Sequence, residues 1–435
     1  MIYNCFRINL FLLRIVLLKS FNFRTNLKSI LVSNHLFSDS FNFSKLNRSN
    51  KLIVLSYFKT IFKIEVKNNT VNSKISTLVF DNQNGAKNQR ENYINFFSPN
   101  ERLDFSSYKG NLFFENIFQK IICVIISFPF ALFYFMISQF YSNRSSFAMF
   151  FEYSIVLSNL ISRVKKNCIN KVYYFSIYDP QSNLFTYFLQ KYNVNVHKIA
   201  SDTPLSFWNK NILTNNLILC NYHQFDEIEN NNINLIYDNV LFWGPENIHN
   251  FNNSYFNKDT DEINIAFYST ASWLRNEQGN ISKTAEYFQQ ENQLVKYLSS
   301  YVFENQHIKL YILLHPKEKL IDQTYILEHY QNLIDAEVDF EIVGLGTFSF
   351  NEFSRFNLGV AFHSSVMHER IFCGFKSLFF STMNVFPLKN TILSRISANN
   401  KVQLFKLMDE SIEMKTNVFF DKFDLEKYTH NNFKN

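Results

Sequence analysis

The chain has 435 residues, which at one domain per ~150 residues predicts two or three domains. Hydrophobic residues make up 46% of the chain, which is ample for globular packing. The net charge is +6, but the later part of the chain carries no basic stripe or recognition motif, which argues against nucleic acid as a partner.

The positive charge is concentrated at the N-terminus. Residues 1–75 contain 12 Lys and Arg against 2 Asp and Glu, a net charge of +10, so the rest of the chain sums to −4. A basic, apolar front end suits an anionic membrane surface, and a soluble basic face is the alternative. Residues 1–21 loosely resemble a signal sequence. Arg7 and Arg14 interrupt the apolar run, however, and no small-residue cleavage site follows, so we expect no export.

The cysteines predict a reducing compartment. They lie far apart and form no CxxC pair, so they indicate free thiols and neither a disulfide framework nor a zinc site. We therefore expect a cytoplasmic protein, peripheral at the inner membrane. The five positions are Cys5, Cys123, Cys168, Cys220 and Cys373.

The most apolar segment is IICVIISFPFALFYFMISQFY, residues 121–141. Its length matches the roughly 20 residues that a membrane-spanning helix needs, but Pro129 would kink a helix and Ser127 dilutes its hydrophobicity. A spanning helix, an interfacial helix and a buried core helix remain open.

From residue 171 onward, strand-like and helix-like segments alternate. Predicted strands are KVYYFSIYDP, VNVHKIA, NLILCN and NVLFWGPE, and QSNLFTYFLQKY is a predicted helix. An Asn-rich linker at 248–261 separates them from a second series with strands EINIAFYST, IKLYILL, DFEIVG, LGVAF and KSLFFST. In that series Leu294, Leu298 and Val302 recur at helical spacing within a long predicted helix.

This alternation predicts an α/β fold with two doubly wound Rossmann-like domains and an interdomain cleft. No EF-hand, P-loop or GxGxxG pattern is present. The predicted organisation is a basic apolar segment at 1–46, an acceptor-side α/β domain at 47–255, a nucleotide-sugar-binding α/β domain at 262–400 and a helical tail at 401–435.

Polar residues follow three predicted strands of the second series. Ser269 and Thr270 follow INIAFY, His315 and Pro316 follow IKLYILL, and His363, Ser364 and Ser365 follow LGVAF. Because the carboxyl ends of parallel strands meet at one edge of a sheet, we expect these groups to form one ligand site.

The segment HSSVMHER has the features of an anion site. Ser364 and Ser365 are good N-cap residues, and the amide groups of the following helix would face a phosphate. Glu369 lies one turn further, where it could accept hydrogen bonds from a ribose. His315 could donate to a departing phosphate, with Pro316 fixing the direction of its ring. Lys317 could add charge, whereas Glu318 and Lys319 are expected to be solvated turn residues.

Together, the His–Pro pair that ends one strand and the Ser–Ser pair that opens a later helix resemble motifs of bacterial GT-B glycosyltransferases, notably sialyltransferases and polysialyltransferases. The resemblance covers about residues 262–383. It implies a nucleotide-sugar donor, possibly CMP-linked, with His315 matching the HP histidine and Ser364 and Ser365 the phosphate-binding pair. It also implies catalysis without a metal or other cofactor, in surface-polysaccharide biosynthesis.

The acidic triplet that supplies the general base in that group is missing from this sequence. By position at a strand end, Asp179 is the first candidate for the base, followed by Asp202 and Glu246, although Asp179–Pro180 would also make an ordinary turn. Arg275 is a candidate for contact with the donor phosphate or a sugar carboxylate. Trp208 and Trp273 are more typical of core packing than of sugar stacking.

The leading hypothesis is an inverting glycosyltransferase that moves a sugar from a nucleotide donor to a glycan or glycolipid acceptor. His315, Ser364 and Ser365 would stabilise the leaving phosphate, and an inner-membrane surface is a further candidate partner. The alternatives are a sugar-nucleotide epimerase or a polyol-phosphate transferase on the same scaffold, or a non-catalytic partner in polysaccharide assembly.

Overall fold

The structure is a computed structural model, which describes residues 2–21, 77–80, 87–106, 117–140, 145–175, 180–200, 211–230, 233–246, 248, 263–277, 283–345, 349–362, 364–381 and 391–430. Asp179, Asp202, Trp208 and His363 lie outside the described residues, as do residues 22–46 of the N-terminal segment and 249–261 of the predicted linker.

The first half of the chain combines long helices with short strands. Its elements are α1 (Ile2–Phe21), β1 (Thr77–Phe80), α2 (Lys87–Phe97), β2 (Leu103–Ser106), α3 (Ile117–Phe140), α4 (Ser145–Asn167), β3 (Lys171–Tyr174), α5 (Pro180–Gln190), β4 (Asn195–Ile199), β5 (Asn211–Leu213), β6 (Asn216–Leu219), α6 (Tyr222–Asn230), β7 (Asn234–Ile236) and β8 (Asn239–Phe242).

The second half alternates more regularly between strand and helix. Its elements are β9 (Ile263–Tyr268), α7 (Ser272–Glu277), α8 (Lys283–Glu304), β10 (Ile308–Leu313), α9 (Gln323–Gln331), β11 (Phe340–Val343), β12 (Leu358–Ala361), α10 (Ser365–Phe372), β13 (Ser377–Phe380), β14 (Ser397–Ala398), α11 (Lys401–Glu413) and α12 (Thr416–Lys422). Two helices begin at side-chain caps, because Asp322 accepts from the Thr324 N–H at 2.7 Å and Asn400 from the Gln403 N–H at 2.9 Å.

Within the described residues, the strands form two six-stranded sheets and a two-stranded sheet of β5 and β7. The first large sheet has the order β2-β1-β3-β4-β6-β8, and the second has the order β11-β10-β9-β12-β13-β14. The paired strands of the second sheet run parallel. Numbered along the chain, its strands follow the order 3-2-1-4-5-6 of a Rossmann sheet. The predicted fold class, with two doubly wound α/β sheets, is confirmed.

The chain packs as two compact units. The first holds Met1–Ser201, Ser206–Ile218 and Asn232–Leu241, and the second holds Asp202–Leu205, Leu219–Asn231 and Phe242–Asn435. The predicted segment and domain boundaries stay predictions, and so does the cleft.

The apolar segment 121–141 forms most of helix α3, which runs through Pro129. Several large apolar side chains of this helix are exposed, so one face lies outside any core. No helix in the described part of the chain is long and apolar enough to cross a membrane.

A fully buried arginine, Arg370, holds the second sheet and helix α10 together. Its guanidinium donates to the Tyr268 hydroxyl at 2.9 Å and to the backbone carbonyls of Phe353, Phe356 and Lys376. Gly359 on β12 provides the space, since a Cβ there would lie 2.5 Å from Nε and 2.9 Å from Cδ of Arg370.

Replacing Gly359 with Ala should therefore lower the free energy of unfolding by about 1–3 kcal/mol, the usual cost of overpacking a core. Thermal or urea unfolding measures it. In a double-mutant cycle with Arg370→Met, the second change should remove part of the clash, so the two costs should not add. Strict additivity would contradict this account.

Candidate functional site

The strand order of the second sheet determines where a ligand should bind. β9 lies between β10 and β12, so consecutive connections leave it in opposite directions. In sheets of this kind the crevice lies beyond the carboxyl ends of the strands at such a switch point. Here, the segments that follow β9, β10 and β12 begin at Ser269, Leu314 and Phe362.

The segment after β9 is a tight turn. The Ser269 N–H donates to the Leu313 carbonyl at 3.0 Å, which ties the end of β9 to the end of β10. The Ala271 N–H donates to the Ser269 hydroxyl at 3.0 Å, and Ala271 has a φ of 54°. A left-handed non-glycine residue costs free energy and occurs often at binding sites, because the surrounding contacts impose it.

The carboxylate of Glu291, on helix α8, holds this turn. Glu291 accepts the Thr270 N–H at 2.6 Å and the Thr270 hydroxyl at 2.9 Å. It also accepts the Ser272 N–H at 3.0 Å and the Ser272 hydroxyl. These bonds fix the backbone at the switch point and direct both predicted residues, Ser269 and Thr270, towards the protein interior.

His315 lies in the turn after β10 and is partly exposed. Its Nδ1 accepts the Lys317 N–H at 3.1 Å. An accepting Nδ1 places the proton of a neutral imidazole on Nε2, so Nε2–H is the donor that a ligand would meet. The predicted donor residue thus has a defined ring orientation, and Pro316 and Lys317 beside it are exposed.

Glu318 corrects one expectation from the sequence. It is not a solvated turn residue but is fully buried. Its carboxylate accepts the His315 N–H at 2.7 Å, the Trp273 indole N–H at 2.5 Å and the Tyr330 hydroxyl at 3.0 Å. Glu318 therefore joins the His315 turn to helix α7 and to helix α9.

Burial dominates the electrostatics of the two carboxylates. It raises the pKa of Glu291 to about 7; hydrogen bonds from Thr270 oppose the shift, and the charge of Glu318 adds to it. Burial also raises the pKa of Glu318, against hydrogen bonds from Trp273 and His315. Desolvation thus outweighs hydrogen bonding at both groups.

Stability should accordingly depend on pH through Glu291. The pKa of Glu291 is higher in the folded state (about 7) than its ordinary value of 4.5, so the folded state binds the proton more tightly. The free energy of unfolding should fall as pH rises from about 4.5 to about 7, by about 3 kcal/mol.

Thermal unfolding across this pH range, compared with that of Glu291→Gln, isolates the contribution. The variant should lose most of the slope, and Glu304→Gln, an exposed change on the same helix, should keep it. Equal slopes for wild type and Glu291→Gln would contradict the assignment.

The predicted Ser–Ser pair begins helix α10. Ser364 is the N-cap, its side chain makes no capping hydrogen bond, and Ser365 is the first helical residue. Ser364 is partly exposed and Ser365 is exposed. A helix start of this kind presents backbone N–H groups and a positive dipole end to an anion.

Other predicted site residues are placed less favourably. Glu369 is only 9% exposed, so the solvent-facing side of helix α10 does not include it. Arg275 belongs to helix α7, but its side chain lies outside the described residues, as do Asp179 and Asp202. Glu246 is half-buried in the turn after β8. Trp273 is buried, as core packing predicts.

Sequence reasoning missed both buried carboxylates. A signal for Glu291 existed, because it lies three residues before Leu294 on the face that also carries Leu298 and Val302. A charged residue on an apolar helix face predicts a buried, partnered group. Glu318 lies in a short irregular turn and had no such signal. Among the described side chains, no group of three or more His, Cys, Asp or Glu is placed to hold a metal ion.

Comparisons with known proteins give fold similarity at low identity. No family model matches the chain, and no curated protein matches it by sequence. Among solved structures, it resembles a Staphylococcus aureus MnaA–UDP complex, with 9% identity, a TM-score of 0.44 and coverage of 81% of this chain and 91% of the other.

Two further structures show the range of the similarity. The Neisseria meningitidis UDP-GlcNAc 2-epimerase bound to UDP-GlcNAc has 9% identity, a TM-score of 0.45 and coverage of 82% and 96%. A Thermobaculum terrenum O-GlcNAc transferase has 7% identity, a TM-score of 0.37 and coverage of 94% of this chain and 76% of the other. None of the three is a sialyltransferase. At these scores the fold assignment rests on the strand order of the sheets.

Proposed function

We propose that this chain is an enzyme that acts on a nucleotide sugar and binds the phosphate of that substrate at the carboxyl edge of the second sheet. One observation carries the proposal: the switch point of a 3-2-1-4-5-6 sheet is flanked by a partly exposed, oriented histidine and by a helix start whose N-cap side chain makes no capping bond. An imidazole donor and a helix N-terminus are together suited to an oxyanion.

In the first candidate reaction, a glycosyl group is transferred. A carboxylate takes the proton of an acceptor hydroxyl, the hydroxyl oxygen attacks the anomeric carbon, and the bond from that carbon to the phosphate oxygen breaks. His315 Nε2–H and the start of helix α10 stabilise the charge that develops on the phosphate. The acceptor is a glycan or glycolipid, and Asp179 remains the first proposed base. The reaction requires neither a metal nor a cofactor.

The second candidate is epimerisation of the nucleotide sugar without an acceptor. Two of the similar solved structures are named for UDP or a UDP-GlcNAc 2-epimerase, so this reaction has to be assayed beside transfer. Both reactions need the same nucleotide phosphate site, and they differ in whether a second substrate is consumed.

A nucleotide-sugar screen separates the two. Purified protein is incubated with UDP-linked and CMP-linked sugars, with and without glycan acceptors, and the products are identified by mass spectrometry and NMR. A new glycoside formed only with an acceptor supports transfer, and a stereoisomeric sugar formed without one supports epimerisation. Turnover of neither kind, combined with absence of nucleotide binding, would overturn the proposal in favour of a non-catalytic assembly partner.

We place this activity in the cytoplasm. All five cysteines are free thiols, and four of them are buried, which suits a reducing compartment.

A further inference from the structure

The first unit contains three helices that meet through polar side chains. Asn9 of α1 donates to the Ser127 hydroxyl of α3 at 3.1 Å, and the Ser154 hydroxyl of α4 donates to the same oxygen at 3.1 Å. The Cys5 Sγ lies 3.4 Å from the Ser127 Oγ. All four residues are buried. The seam between these helices is therefore small and polar.

The outer surface of the same helices is apolar. On α3 the exposed large side chains recur every three or four residues, so they form one stripe along the helix; a second, shorter group lies on α1. The stripe on α3 consists of Phe118, Ile121, Ile125, Phe128, Leu132 and Met136, and the group on α1 of Tyr3, Phe6 and Leu10. Phe6 contacts Phe130 of α3 at a ring-centroid distance of 5.8 Å, so the two groups adjoin. We call them together the apolar face.

This distribution is the reverse of that in a water-soluble helical bundle, where apolar residues pack inside and polar residues face solvent. Helices in lipid associate through small and polar residues and turn apolar side chains outward. An exposed apolar surface of this extent also marks an interaction site in a soluble protein. The polar seam is what favours lipid over a protein partner.

Charge supports the same occupant. Exposed basic residues adjoin α1: the Arg7 guanidinium lies 5.3 Å from the ring centroid of Tyr3, and the Lys191 Nζ lies 5.2 Å from that of Phe11. The wider segment 1–75 carries a net charge of +10. Basic residues beside an apolar helix face attract the anionic lipids of a bilayer surface.

We propose that the apolar face docks onto an anionic phospholipid bilayer, with α3 lying in the interface. Among the described helices, α3 included, none qualifies to span a membrane, which agrees with an interfacial placement. This inference stands on the geometry of the first unit and is independent of the reaction that the second unit performs.

Vesicle flotation with full-length protein tests the proposal. Wild type should float with vesicles of phosphatidylglycerol and phosphatidylcholine, float less with phosphatidylcholine alone, and lose binding as salt rises. The double variant Ile125→Ser/Phe128→Ser should lose at least about tenfold in partition, since it removes two exposed apolar side chains.

The matched control is Phe303→Ser/Leu327→Ser, which removes two comparably exposed apolar side chains from the second unit and should bind vesicles as wild type does. Circular dichroism and thermal unfolding confirm that both variants fold. Light scattering covers the other occupant: a wild-type dimer that the Ile125→Ser/Phe128→Ser variant converts to monomer, without vesicle binding, would overturn the proposal. So would equal flotation of wild type and that variant.

Discussion

Replacing His315 with Ala should lower turnover of the nucleotide sugar by about 10²–10³-fold, the usual effect of removing one donor to a developing oxyanion. The physical reason is the orientation of the ring: Nδ1 accepts the Lys317 N–H, which leaves the proton on Nε2 for the leaving phosphate. The bond from the His315 backbone N–H to Glu318 does not depend on the side chain, so the fold of the turn should survive.

The measurement is steady-state kinetics with the donor found in the nucleotide-sugar screen, accompanied by thermal unfolding. His307→Ala is the matched control, because His307 is an exposed histidine just before β10, at the opposite end of the same strand. It should leave turnover unchanged. If His315→Ala turned over at nearly the wild-type rate, the role of His315 would have to be abandoned.

The second large effect is expected at Glu318. Truncation to Ala leaves three buried donors without their acceptor, namely the Trp273 indole N–H, the Tyr330 hydroxyl and the His315 backbone N–H. At about 1–3 kcal/mol for each unsatisfied group, the loss should reach several kcal/mol. Glu318→Ala should therefore unfold at a clearly lower temperature than wild type.

Glu318→Gln separates positioning from stability. Trp273 and Tyr330 donate to one carboxylate oxygen, and the His315 N–H donates to the other. A carboxamide can keep the first two bonds but then turns an NH₂ group towards the His315 N–H. We expect a smaller loss of stability than for Ala, together with a fall in kcat at nearly constant KM.

Tyr330→Phe is the control for this variant, because it removes one bond to Glu318 and leaves His315 anchored. It should cost about 1 kcal/mol of stability and little turnover. Equal losses of turnover in Glu318→Gln and Tyr330→Phe would show that Glu318 acts only through stability.

The sequence located the elements of the second sheet well, for a physical reason. Its strands are short, continuous apolar runs bounded by polar residues, as in IKLYILL before His315, and β9, β10 and β12 end within a residue or two of the predicted positions. The carboxyl-edge position of Ser269, His315 and Ser364 followed from that alternation alone.

The connections that hold the site together could not be predicted in the same way. Glu318 is buried because Trp273 and Tyr330, 45 and 12 residues away in the chain, meet it in three dimensions. No local pattern carries such information. The outward apolar stripe of α3 had a similar ambiguity, since its hydrophobicity fits a core as well as a surface until the partners Asn9 and Ser154 are known.

The central claim is that the start of helix α10 and the His315 turn bind the phosphate of a nucleotide. Calorimetric titration of UDP, CMP and CDP into wild type and Ser364→Asp tests it most directly, with Asn400→Asp as a control that adds the same charge at the N-cap of another helix. Wild type and Asn400→Asp should bind a nucleotide alike, and Ser364→Asp should bind it about 100-fold more weakly. Undiminished binding by Ser364→Asp, or no binding by wild type, would contradict the account.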